Sequence, residues 1–153
     1  MMMNRRTAIR VGTLGLGAGI AALAAGRANA SQPTIEVSRS PSCGCCGDWI
    51  AHMQAAGFTV EDRMVDDLAP LKAQLGIPAD LHSCHTGVIA GYAVEGHVPA
   101  EDVLRLIAER PAAIGIAVPG MPLGSPGMEM GSQRDPYDVI LFGPAGRAVF
   151  ANH

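Results

Sequence analysis

Three cysteines fall within four residues, Cys43-Gly44-Cys45-Cys46, and Gly47-Asp48-Trp49 follows directly. Clustered thiols exchange disulfides or hold a soft metal such as copper(I), because the thiolate is at once the nucleophile and the soft ligand. The fourth and last cysteine, Cys84, stands in Ser83-Cys84-His85-Thr86. Cys43 and Cys46 have the C-x-x-C spacing, close enough on a helical turn to bridge or to share a metal. Cys45 is the discriminating residue. A thiol oxidoreductase needs two sulfurs and gains only a mispairing hazard from a third, whereas three thiolates suit a cluster in which sulfurs bridge several copper(I) ions. Structural zinc normally takes two separated knuckles, and the chain has one; the ferredoxin spacings of iron–sulfur proteins are absent.

Four cysteines allow three pairings in an oxidising compartment. The α-carbons of adjacent Cys45 and Cys46 are about 3.8 Å apart, below the usual disulfide range of about 4.4–6.8 Å. The expected oxidised pattern is therefore Cys43 with Cys46 and Cys45 with Cys84. In the reduced protein Cys84 is the expected fourth ligand. His85 is a further candidate donor, although adjacent residues of a strand point to opposite faces. His97, in Gly96-His97-Val98-Pro99, could equally cap a helix, and His52 reads as a solvated or capping residue. His82 and His153 have no supporting pattern. Met121, Met128 and Met130 lie in a Pro/Gly segment off any periodic face; Met128 and Met130 are candidate thioether donors to copper(I), with gap filling as the competing role. Trp49 reads as a core anchor beneath the site. No paired carboxylate motif, Ser-His-Asp set, phosphate loop or dinucleotide fingerprint is present.

The elements that would position these residues alternate. Thr34 to Val37 reads as a strand running into the Ser/Pro loop before Cys43. Trp49, Ile50, Met53 and Ala56 recur at helical spacing until Gly57, which puts the cysteines on the loop and first turn of a helix. Phe58 to Val60 starts a second strand. Asp66 or Asp67 can cap a second helix reaching Leu75, which Gly76-Ile77-Pro78 ends. Thr86–Ala90 and Tyr92–Val94 flank Gly91 as a hairpin, and Pro99–Glu109 opens a third helix with proline in its first turn. The order strand, helix, strand, helix, hairpin, helix is that of the thioredoxin and glutaredoxin fold. The expected class is thus α/β and thioredoxin-like: a mixed central sheet flanked by helices. A Pro/Gly/Met segment, Val118–Met130, and a terminal hairpin, Asp138–Phe142 with Arg147–Phe150, extend it. The loop before the first hairpin, where such folds usually carry a cis proline, has His85-Thr86 instead.

Residues 1–30 read as an export signal: a charged start with Arg5-Arg6, an apolar run Val11–Ala25, and Ala28-Asn29-Ala30 as a small-residue cleavage site. The paired arginines make it look like a twin-arginine signal; the alternatives are an ordinary secretory signal and an uncleaved anchor, although the run is short of the ~20 residues that span a bilayer. Residues 31–153 then form one domain. Removal of Arg5, Arg6, Arg10 and Arg27, with no acid, takes the formal charge from −3 to −7. That acidity argues against nucleic acid as a partner and is compatible with attracting cations. No second run of membrane length remains, so no stable membrane insertion of the mature chain is expected.

From Ile35 to Phe150 the chain resembles the CopG-like copper-resistance proteins, an uncharacterised-domain family of exported bacterial proteins. The blocks that carry the resemblance are Cys43-Gly44-Cys45-Cys46-Gly47-Asp48-Trp49, Ser83-Cys84-His85-Thr86, Glu95-Gly96-His97-Val98-Pro99, Val118-Pro119-Gly120-Met121-Pro122 and Gly124-Ser125-Pro126-Gly127-Met128-Glu129. The resemblance implies a thioredoxin-like fold, copper bound through the cysteines, and a periplasmic role in copper resistance with copper redox conversion as an accompanying activity. Copper ions, and other periplasmic copper-handling proteins, are the partners it implies. Two other classes compete with this reading. One is a periplasmic thiol–disulfide oxidoreductase with Cys43 attacking and Cys46 resolving; the other is a disulfide-stapled interaction domain. Replacing Arg5 and Arg6 together by Lys is expected to leave unprocessed precursor in the cytoplasm, read by cell fractionation and immunoblotting; normal export of that variant would exclude the twin-arginine route.

Overall fold

The computed structural model describes residues 32–153, so the export signal assigned to residues 1–30 lies outside the described residues. Seven strands form one mixed sheet: β1 (Thr34–Arg39), β2 (Thr59–Met64), β3 (His85–Ile89), β4 (Tyr92–Glu95), β5 (Gly115–Ala117), β6 (Asp138–Gly143) and β7 (Gly146–Asn152). Their spatial order is β2-β1-β3-β4-β5-β6-β7. β1 pairs parallel with β2 and antiparallel with β3, β4 runs parallel to β5, and the remaining neighbours are antiparallel. The helices are α1 (Gly44–Ala55), α2 (Ala69–Gln74) and α3 (Ala100–Glu109), with a short 3-10 turn at Ala79–Leu81. None is long and apolar enough to cross a membrane among the described residues.

Strand alternation divides the core between the two faces of the sheet. Val94 and Ile116 point to one face, where they meet Trp49, Ile50 and Met53 of α1 and Val103 and Leu106 of α3. Ala93 and Ala117 point to the other, where Ile77 and Leu81, in the segment after α2, join Phe142. The mixed α/β architecture expected from the sequence is present, including the terminal hairpin.

Three boundaries differ from expectation. β2 extends through Glu61-Asp62-Arg63, because an edge strand tolerates charge on its open side, and Arg39 of β1 holds Asp62 through two hydrogen bonds of 2.9 and 2.8 Å. β5 is an unanticipated strand of three residues, too short for a periodic signal and assembled only by its neighbours. The second helix is shorter than expected, starting at Ala69, whose N–H donates to Asp67 at 2.9 Å. Gly57 stops α1 as expected, with φ +93°, a conformation that L side chains rarely adopt.

Trp49 is the core anchor that the sequence suggests. It is fully buried, and its Nε1–H donates to the Val98 carbonyl at 2.8 Å, tying α1 to the loop before α3. Trp49→Phe removes that donor and leaves a buried carbonyl unpaired beside a smaller ring. The expected loss is about 2–4 kcal/mol, read as a lower urea midpoint at unchanged slope; a loss below about 1 kcal/mol would show that water reaches the carbonyl.

Candidate metal centre

The C-x-C-C cysteines are held by the start of α1. Cys43 is its N-cap, with extended backbone and no side-chain capping bond, and its N–H closes a turn onto the Ser40 carbonyl at 3.1 Å. The motif thus occupies the N-cap and first turn of α1, where a helix leaves backbone N–H groups without intrahelical partners. Cys43 and Cys46 are joined in a disulfide with α-carbons 5.5 Å apart. Cys45 and Cys84 are free. This corrects the expected oxidised pattern at its second bond: Cys45–Cys84 is not formed, and the Cys84 sulfur is engaged by imidazoles instead.

Cys84 arrives from the loop before β3, and all four Sγ atoms lie within 4.8 Å of one another. Cys45 Sγ is 3.7 Å from Cys43 Sγ, and Cys46 Sγ lies 3.8 Å from the Cys84 carbonyl oxygen. A second donor group shares Cys84: its sulfur is 3.3 Å from His85 Nδ1 and 3.1 Å from His97 Nε2, again with all three ligand atoms within 4.8 Å. Cys84 precedes the first residue of β3, so strand alternation does not separate it from His85. The imidazole of His85 is wedged between Trp49, at 4.3 Å between ring centroids, and His97, at 5.0 Å.

The sequence leaves a cap on α3 as one role open to His97. His52 performs that role: its Nε2 accepts the N–H of Ala100 at 3.1 Å. His97 instead belongs to the site, and its tautomer follows from its partners. The Pro126 carbonyl, 2.8 Å from Nδ1, can only accept, so Nδ1 carries the proton and Nε2 presents a lone pair to Cys84. A backbone carbonyl behind one ring nitrogen is the usual support of a metal-ligating histidine.

The segment Val118–Met130 crosses the start of α1 as a strap. Gly127 makes this close approach possible: a Cβ there would stand 2.7 Å from the Trp49 nitrogen and 2.9 Å from the Cys45 carbonyl oxygen. Glu129 accepts the Gly127 N–H at 2.8 Å. Met128 follows Gly127 directly and is half-buried, whereas Met130 is exposed and makes an isolated bridge with Gln133. His82 sits apart, with Nε2 on the Ile77 carbonyl, and His153 meets Asp102 at 2.7 Å.

Burial keeps this centre uncharged. It pushes the Cys84 thiol up to about 11, with neighbouring Cys45 adding to the rise. It pushes His85 down to about 3, helped by His97 and Lys72, and lowers His97 as well. At neutral pH the Cys84 thiol can thus donate to His97 Nε2. His85 Nε2 is buried with no hydrogen-bond partner. Once the Cys43–Cys46 disulfide is reduced, four sulfurs and two neutral imidazoles, one with an orphaned nitrogen, make a donor set that fits a soft metal ion or cluster.

Two solved structures, described as copper resistance protein CopG in forms 1 and 2, are 51% and 50% identical to this chain with a TM-score of 0.76. Each alignment covers 80% of this chain and 98% of the other. The chain belongs to the CopG family. Residues 81–128 also match the family model described as a protein of unknown function, DUF411, a span that opens beside Cys84 and closes in the strap. Comparison with curated proteins gives no match. In this CopG-family chain, the cysteine motif expected from the sequence becomes a four-sulfur group able to hold a metal. His97 and the Pro126 carbonyl were not anticipated as its parts, although both lie in blocks that carry the family resemblance.

The buried neutral histidines set the direction of acid sensitivity. The unfolded chain takes up a proton on each near pH 6.5, whereas folded His85 resists until about 3, so stability falls as pH drops below 6.5. For His85 the slope is about 1.4 kcal/mol per pH unit, and His52 and His97, also lowered by burial, act in the same direction. Urea midpoints measured at pH 6.5 and about 1.5 units below it should therefore differ, and less so in His85→Leu. Equal midpoints for the parent would mean that the folded chain accepts these protons.

Proposed function

We propose that the chain is a periplasmic copper-binding protein of copper resistance, exported by the twin-arginine route through residues 1–30. Residues 31–153 are then the mature copper-binding domain. It holds copper(I), as a multinuclear cluster, on Cys43, Cys45, Cys46 and Cys84. His97 and His85 complete the donor set around Cys84, and Met128 and Met130 are further candidate donors from the strap. The observation that carries this reading is the convergence of four sulfurs within 4.8 Å, one of them from a separate loop, in a chain half identical to copper resistance proteins. The order β2-β1-β3-β4, with α1 and α3 on one face, supports a thioredoxin-like reading of that part; β5–β7 extend it.

Redox conversion of copper follows from the same atoms. The Cys43 and Cys46 thiolates would each give one electron to a copper(II) ion, leaving two copper(I) ions and the Cys43–Cys46 disulfide; Cys45, Cys84 and the imidazoles then remain to hold the product, and the four-sulfur site returns when a dithiol reductant reopens the bond. The thiols' protons pass to solvent. That disulfide also favours the second reading, a thiol–disulfide oxidoreductase with Cys43 attacking and Cys46 resolving.

Anaerobic titration of the reduced mature protein with copper(I), followed by native mass measurement, separates the two. The parent should take up several coppers per chain, while Cys45→Ser should lose much of that capacity yet still form the Cys43–Cys46 disulfide. Equal copper uptake by both proteins would make Cys45 incidental and favour the oxidoreductase.

A further inference from the structure

Behind the Cys84 loop lies a buried ion pair that neither the cysteine chemistry nor the fold requires. Lys72 of α2 is 4% exposed and Glu95 of β4 is fully buried, and the two are in direct contact. Around them every polar group is matched. The Lys72 ammonium donates to Glu95, to Thr86 Oγ1 at 2.9 Å and to the Ser83 carbonyl at 3.2 Å, which uses all three of its hydrogens. Glu95 Oε1 also accepts the Ser83 N–H at 2.6 Å, and Oε2 accepts the Thr86 hydroxyl at 2.7 Å.

The two residues gripped, Ser83 and Thr86, flank Cys84 and His85. Thr86 is paired directly opposite Glu95 in the β3–β4 ladder, so their side chains share the face of the sheet on which Lys72 lies. Alternation sends His85, the preceding residue, to the opposite face, against Trp49. The strand is therefore pinned on one face so that the donors stay on the other. The Ser83 hydroxyl extends the grip to the strap by donating to the Gly120 carbonyl at 2.8 Å.

A buried ion pair is a poor source of stability, since desolvating both charges offsets most of their attraction, and an apolar pair of similar volume often serves as well or better. What an apolar pair cannot do is hold a backbone N–H, a backbone carbonyl and a hydroxyl at fixed positions around a loop. We propose that Lys72 and Glu95 are positioning residues for metal binding, a clamp on Ser83 and Thr86 that holds the Cys84 sulfur against the three cysteines of α1. The inference rests on the copper reading for its consequence, and on geometry alone for the placement of Cys84.

The test uses the mature protein in two assays, with Lys72→Met/Glu95→Leu as the variant, since the double change leaves no unpaired buried charge. With Cys43–Cys46 oxidised and Cys45→Ser as background, Cys84 is the free thiol, and its alkylation by iodoacetamide should run about tenfold faster once the clamp is gone. Without the Cys45 change, reduced protein should bind copper(I) about 10- to 100-fold more weakly at the Cys84 position, with a reduced thiolate-to-copper band in the ultraviolet. Circular dichroism and a cooperative melt establish that the variant is folded. A folded double variant with the parent's alkylation rate and copper affinity would overturn the clamp. If the double variant does not fold, Thr86→Val removes one hydroxyl and keeps the charge pair; faster alkylation supports the clamp, and an unchanged rate overturns it. A parent that takes up no copper, with Cys84 freed in the variant, would defeat the copper reading and leave the positioning role standing.

Discussion

Cys84 has to be brought to the first turn of α1 across the edge of a hydrophobic core, and much of the surrounding structure serves that placement. Its sulfur meets the α1 cysteines, its own neighbour His85, and His97 from the loop before α3, while Pro126 of the strap holds His97 from behind. A loop carrying a thiol and an imidazole would ordinarily lie in solvent. Here it is half-buried, so each polar group it brings needs a partner. The Lys72–Glu95 network meets that need on one side of the sheet, and the sulfur–imidazole contacts meet most of it on the other.

Burial also decides the chemistry available at rest. The centre is neutral, with a protonated Cys84 thiol and unprotonated imidazoles. Neutral imidazole is the ligand form of histidine, and His97 already presents its free lone pair. A metal that takes the Cys84 sulfur must displace a proton, so binding and proton release are coupled.

The strap gives β5–β7 their place in this arrangement. The chain leaves β5, crosses α1 and then returns as β6 beside β5. The start of the strap adjoins β5 directly, and residues 131–137 carry its end back to β6. Between them Gly127 settles on the Cys45 and Trp49 backbone at a distance that a side chain would forbid. Pro126 is carried with it to His97, so the orientation of an imidazole depends on a segment almost thirty residues away in sequence.

Much of this was legible in the residues themselves. The C-x-C-C spacing on a strand-to-helix junction, Trp49 in the helical pattern, Gly57 as its stop and the hairpin around Gly91 are local signals, because capping, periodicity and turn chemistry act over a few residues. Cys84 as a partner of the motif followed from element order. The tertiary structure alone decided the rest. β2 runs on through Glu61-Asp62-Arg63 because it is an edge, and β5 exists because β4 and β6 pair with it. His97 is a site residue and His52 takes the Ala100 N–H, a division of roles that only their placement in the fold decides. The Cys45–Cys84 bond gave way to imidazole contacts, and Lys72 met Glu95 without any motif to announce it. Such contacts depend on where side chains from distant segments meet once the sheet is assembled, and that information is held by the packing of the whole chain.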